Sequence, residues 1–170
     1  MGGNDWFATE SGQNLAAMAA GKAGIWLEHL VGHNALILQP CTQGLPVPAL
    51  RFQSLTRLER ARSRFYGDFQ ADDADLPLSS DCMALVYAAF VLETSPHPAA
   101  LLREFERLLL AEGHLAILAL NPFSHVSVEN GADWNCTARR IGRMRCKLPD
   151  LNCFAGNASA KVIDLTCCVR

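Results

Sequence analysis

The side chains best able to do chemistry stand at the ends of apolar runs. Glu59 follows a run ending at Leu58, where a carboxylate can accept hydrogen bonds from a ribose diol. Its plainer reading is an ion pair within the charged run Arg57, Glu59, Arg60, Arg62 and Arg64; exposed pairs of that kind contribute little and say nothing about function. Gln39-Pro40-Cys41-Thr42-Gln43-Gly44 follows the apolar run Ala35 to Leu38, at a turn where a nucleotide site is expected. That chemistry uses several glycines, so that backbone amides approach the ligand, whereas this turn has one glycine and a proline that removes an amide. Glu93, His97 and His125 lie near the carboxyl ends of two further runs and are the candidates for a general base. For His97, between Pro96 and Pro98, capping or a solvent-facing role is the plainer reading, as a loop ion pair is for Glu93. No catalytic residue is assigned from the sequence.

Cys41, Cys82, Cys136, Cys146, Cys153, Cys167 and Cys168 make an odd set of seven. With no CxxC pair, their spacing fits no common zinc module, so no metal is expected, and reduced buried thiols are the simpler reading. A net charge of -2 argues against general attraction to nucleic acid or anionic membrane. Only the run Arg139, Arg140, Arg143, Arg145 and Lys147 offers a local cationic face for phosphate or RNA. No apolar run approaches the roughly 20 residues a membrane helix needs, and no basic-then-apolar leader opens the chain. The expectation is a cytoplasmic protein.

The elements that must position these residues centre on Asp72 to Pro122. Met83 to Phe90 reads as a strand. A helix entered at Ser95-Pro96-His97-Pro98 follows, with Leu101, Leu102, Phe105, Leu108 and Leu109 on one face and Gly113 after its last turn; Leu115 to Leu120 is a second strand. Neither strand alternates, so both should be covered on both faces, as in a doubly wound parallel α/β sheet. Upstream, a helix over about Gln13 to Val31 is expected, with a possible break at Gly21 or Gly24 and an end at Gly32. Leu45 to Leu50 leaves room for a minimal helix only. Strands follow at Arg51 to Leu58 and about Phe65 to Gln70, the latter running into the acidic turn Asp72, Asp73, Asp75. Lys161 to Val169 reads as a last strand. One domain spans 1–170, divided into an N-terminal helical segment at 1–34, a core at 35–122 and a divergent part at 123–170.

Asp72, Leu76-Pro77-Leu78, Asp81, the strand Met83 to Phe90, Ser95 to Pro98, the amphipathic helix Leu101 to Leu110, Glu112-Gly113-His114 and the strand Leu115 to Leu120 occur in the order found in a known family. The sequence resembles the class I S-adenosylmethionine-dependent methyltransferases, in particular the type 11 group acting on small molecules. The resemblance implies an abbreviated, three-layer, Rossmann-like fold with a terminal antiparallel hairpin, and S-adenosylmethionine as cofactor. It further implies that Gln39 to Gly44, Cys41 included, surround the methionine part, that Glu59 binds the ribose, and that Asp72 with its neighbour Asp73 meets the adenine amino group. Tyr87 to Phe90 would line the cofactor. The chain departs from the family at Pro40 and Cys41, where glycines are usual, at Ala84, where an acid is usual, and at Glu93-Thr94, where a histidine-containing turn is usual. Two functions follow. One is methyl transfer to a small-molecule acceptor; the alternative is a non-catalytic relative that has lost the cofactor and serves as a partner or scaffold.

Overall fold

The computed structural model describes residues 6–40, 44–120, 151–154 and 160–166. Helix α1 (Glu10–Leu27) leads into β1 (Val31–Gln39), β2 (Arg51–Ala61) and β3 (Arg64–Gly67). Then come β4 (Met83–Ala89), a single turn α2 (Val91–Thr94), α3 (Pro98–Leu108) and β5 (Leu109–Leu120), with β6 (Leu151–Phe154) and β7 (Ala160–Thr166) last. The seven strands form one sheet in the order β3-β2-β1-β4-β5-β7-β6. Strands β1, β2, β4 and β5 are mutually parallel, β3 is antiparallel to β2, and β7 is antiparallel to both β5 and β6. Five strands therefore share one direction, and the expected mostly parallel sheet with its antiparallel ending is present.

Alternate residues of the central strands feed two cores, as the pleat requires. Ala35, Ile37, Leu85, Tyr87, Ala116 and Leu118 join Ala16, Ala19, Ala23 and Leu27 of α1 on one face. Leu36, Leu38, Val86, Ala88 and Ile117 join Leu101, Leu102, Phe105 and Leu108 of α3 on the other. Burying each of these large side chains stabilises by about 1.5–3 kcal/mol, which is why uninterrupted apolar strands end up between two helical layers. Helix α3 begins where expected, with His97 as N-cap and Pro98 in its first turn.

Five expectations need correction. Helix α1 runs without a break through Gly21 and Gly24 and stops at Leu27. Gly24 admits the 45–50 segment: a Cβ there would lie 3.2 Å from Pro48 Cβ. Gly32 does not end the helix but lies inside β1, where a Cβ would meet Ala84 Cβ at 2.7 Å. The 45–50 segment contains no helix, because its two prolines leave too few amides to close a helical turn. The third strand is the short β3, turned back on β2 as a hairpin through Arg62 at φ 58°, so no helical crossover separates the two. Finally, Gly113 lies within β5, which starts at Leu109 directly after α3.

Candidate functional site

The carboxyl ends of the parallel strands gather on one edge of the sheet: Gln39 pairs with Glu59 in register, and Ala89 pairs with Leu118. From β1 the chain proceeds to β2 and β3 on one side and to β4 and β5 on the other, so the strand order reverses between β1 and β4. Open α/β sheets bind ligands in the crevice at such a reversal.

Gln39 closes this crevice from below. It is 5% exposed and its Nε2 donates to the Leu45 carbonyl at 2.6 Å, tying the return of the β1–β2 connection to the end of β1. Gly44 holds φ +63°, a left-handed conformation cheap only for glycine. A Cβ on it would stand 3.9 Å from Glu59 Oε1, so the connection passes over that carboxylate. Glu59 is half-buried and has no hydrogen-bond or ion-pair partner among the described residues. The expected pairing of Glu59 with the neighbouring arginines does not occur. Leu58 and Arg60 are buried on the α3 side, so the alternation of β2 sends Glu59 to the opposite, α1 side. Cys41 lies outside the described residues, as do His125 and the basic run 139–147.

The acidic turn is divided between two arginines. Asp72, half-exposed, accepts two hydrogen bonds of 2.7 Å from Arg64 Nε and Nη2. Those bonds hold its carboxyl below the ordinary range. Asp73 is buried against Arg60, whose side chain is fully enclosed. The second Asp73 oxygen accepts from Ser95 Oγ at 2.6 Å, and Ser95 Oγ in turn accepts from the His97 amide at 3.1 Å. Arg60 lies 4.1 Å from the centre of the Phe65 ring. Burial pulls its pKa down, opposed by Asp73. This cluster fastens β2 and the acidic turn to the loop entering α3, and each Asp73 oxygen takes part in it. Tyr87 is fully buried among the α1-side core residues, with no partner for its hydroxyl among the described residues, and burial raises that hydroxyl's pKa. Asp73 is thus held by Arg60 and Ser95 and Tyr87 lies in the core, while Gln39, Gly44 and Glu59 are brought together.

Leu76-Pro77-Leu78 is held by α3. Arg107 donates to the carbonyls of Leu78 and Leu76 at 2.8 and 2.9 Å, and Glu104 accepts from the Leu76 amide at 3.0 Å. Beyond β4, Phe90 takes φ 53°, donates its amide to Leu118 O at 2.9 Å and stacks on Phe7 at 5.0 Å. That strained turn brings Glu93 over the end of β5, where Glu93 Oε1 accepts from the Leu120 amide at 2.8 Å. Glu93 Oε2 is enclosed without a partner among the described residues, and burial pushes the carboxyl up to about 7. His97 is exposed at the N-cap of α3. Among the described residues no cluster of His, Cys, Asp and Glu is arranged to hold a metal ion, and no helix is long and apolar enough to cross a membrane.

Sequence reasoning missed Arg60 and the left-handed turn at Phe90. The first was within reach: Leu58 and Arg60 share a strand face, and an inward arginine requires one of the nearby aspartates.

Residues 51–117 match the family model of the methyltransferase domain. Comparison with curated proteins gives no significant match. Among solved structures the chain is similar to a proposed S-adenosyl-L-methionine-dependent methyltransferase of Methanococcus maripaludis. The TM-score is 0.58 at 12% identity, over 94% of this chain and 88% of that one. It is also similar to a chain of the complex between the Haloferax volcanii Trm112 methyltransferase activator and a proposed methyltransferase. There the TM-score is 0.52 at 11% identity, over 95% and 94% of the two chains. At such identities the likeness establishes the fold.

Proposed function

We propose that this chain, whose residues 51–117 match a methyltransferase domain and whose fold resembles that of methyltransferase structures, is a class I methyltransferase that binds S-adenosylmethionine and methylates a small-molecule acceptor. The observation that carries this reading is the meeting of Gln39, Gly44 and Glu59 at the crevice where the strand order reverses. The residues fit the sugar end of the cofactor. Glu59 offers two carboxylate oxygens without a competing partner among the described residues, as a ribose diol requires, and Gly44 offers backbone without a side chain in the way. Gln39 fixes the connection that carries Gly44, and Cys41 stands between the two in sequence. To meet the adenine amino group, Asp72 must share its carboxylate with Arg64. Asp73 acts from beneath by holding Arg60, and Tyr87 forms part of the packed floor.

The cofactor supplies an electrophilic methyl group on a sulfonium. What remains for this chain is to orient the acceptor in line with that methyl and to exclude water, because no covalent intermediate is needed. Calorimetric titration with S-adenosylmethionine tests the reading. Measurable heat that diminishes in Glu59→Ala is the expected result, and absence of binding at millimolar cofactor rejects it.

A second reading, a non-catalytic partner or scaffold, draws support from the same acids: Asp72 is neutralised by Arg64 and Asp73 is sealed against Arg60. A tight cofactor complex that depends on Asp72 would exclude it.

A further inference from the structure

We infer that Glu93 is the group that takes a proton from the methyl acceptor, and that the acceptor's nucleophile is therefore an O–H or N–H group. This rests on the methyltransferase reading and specifies the other half of the same site.

A buried carboxylate oxygen without a partner is rare in a folded protein and calls for a cause. Glu93 Oε2 is such an atom, at the carboxyl ends of two adjacent parallel strands, where this type of sheet gathers its chemistry. Its orientation is fixed at both ends. The left-handed Phe90 turns the chain out of β4, and the Leu120 amide holds Oε1, leaving Oε2 as the oxygen of this carboxyl without a bond among the described residues. Burial is the main cause of the raised pKa, opposed by amide hydrogen bonds from Leu120 and from Glu93 itself. Glu112 and His114 on β5, and Arg103, Glu104, Glu106 and Arg107 on α3, are not among its causes. A carboxyl that changes charge near neutrality is matched to accepting a proton during turnover. His97, the other candidate within the described residues, is exposed and contributes its amide to Ser95.

The step balances as follows. The acceptor's oxygen or nitrogen forms a bond to the methyl carbon, the carbon–sulfur bond breaks with its electron pair passing to sulfur, and the acceptor's proton passes to Glu93 Oε2, which releases it to solvent. Acceptors already bearing a free anion, such as thiolates or carboxylates, have no use for such a group.

Three measurements on the full chain, wild type and Glu93→Gln, test this. Side-chain carbon-13 NMR follows the Glu93 carboxyl across neutral pH without any ligand. Calorimetry measures S-adenosylmethionine binding. Mass spectrometry reads S-adenosylhomocysteine formation with mixtures of phenols, amines, thiols and carboxylates. The expected results are a carboxyl that titrates near neutrality and equal cofactor affinity in both proteins. Phenol or amine methylation should rise through neutral pH in the wild type and fall about a hundredfold or more in Glu93→Gln. A carboxyl that titrates in the ordinary glutamate range, turnover confined to thiols or carboxylates, or superimposable pH profiles would overturn the assignment. Loss of cofactor binding in the wild type would instead reject the methyltransferase reading and is seen separately by calorimetry.

Discussion

Replacing Asp73 by Ala should unfold the protein far more readily than replacing Asp72, although the two acids are adjacent in sequence. Asp73 faces a guanidinium whose side chain is 0% exposed, and Arg60 Nε already lacks a partner. Removing Asp73 leaves a buried cation with, among the described residues, the Ser63 carbonyl at 3.4 Å and the Phe65 ring, and stranding one member of a buried pair costs about 3–5 kcal/mol. For a domain of this size each kcal/mol moves the melting midpoint by about 2–4 °C, so a fall of roughly 6–20 °C is expected. Asp72 and Arg64 are both about half-exposed, water replaces their bond, and Asp72→Ala should leave the midpoint nearly unchanged. Thermal and urea unfolding followed by circular dichroism measures both variants. The double replacement Arg60→Met with Asp73→Leu should recover much of the loss, because an apolar pair needs no compensation. Equal midpoints for Asp73→Ala and Asp72→Ala would refute the reasoning, since the two ion pairs would then not differ in burial.

Three further outcomes follow from the packing and the titrating groups. Phe105→Ala, at a fully buried site on α3, should lower stability by about 3–5 kcal/mol in urea unfolding with little change in the slope. Arg107→Ala should cost about 1 kcal/mol by releasing the Leu76 and Leu78 carbonyls, read as a lower urea midpoint. Glu93 has a folded pKa of about 7 against an ordinary 4.5, so the folded state holds the proton more tightly than the unfolded state. Stability from this group is present below about 4.5 and is lost as pH rises through about 7, on the order of 3 kcal/mol in total. Glu93→Gln should therefore show a flatter dependence of unfolding free energy on pH across that window, and an unchanged slope would contradict it.

Much of the central layer was legible because apolar runs and proline spacing report directly on burial and helix entry. The strand starting at Met83 and the helix entered at Pro98 needed no other information, whereas Leu109 and Leu110, expected in the helix, begin β5. The hairpin at Arg62 was not legible, because a positive φ at an arginine carries no compositional mark. The extent of β5 was hidden by Gly113, whose helix-ending propensity yields to strand pairing from Leu109 onward. Gln39, Gly44 and Glu59 could be named as candidates from their places after strands, and the register places Gln39 opposite Glu59. The burial of Asp73 and Tyr87 was not legible, because it depends on which face of a strand or turn a residue takes. That choice was decided for Asp73 by the inward Arg60, and for Tyr87 by the α1-side core.

The most direct measurement is an isothermal titration of S-adenosylmethionine into the wild type and Glu59→Ala at matched melting temperatures. Binding by the wild type, weakened about tenfold or more in Glu59→Ala by loss of hydrogen bonds to a charged group, is the predicted result. No binding to the wild type, or equal binding to both, would contradict a cofactor site at the Gln39–Gly44–Glu59 edge.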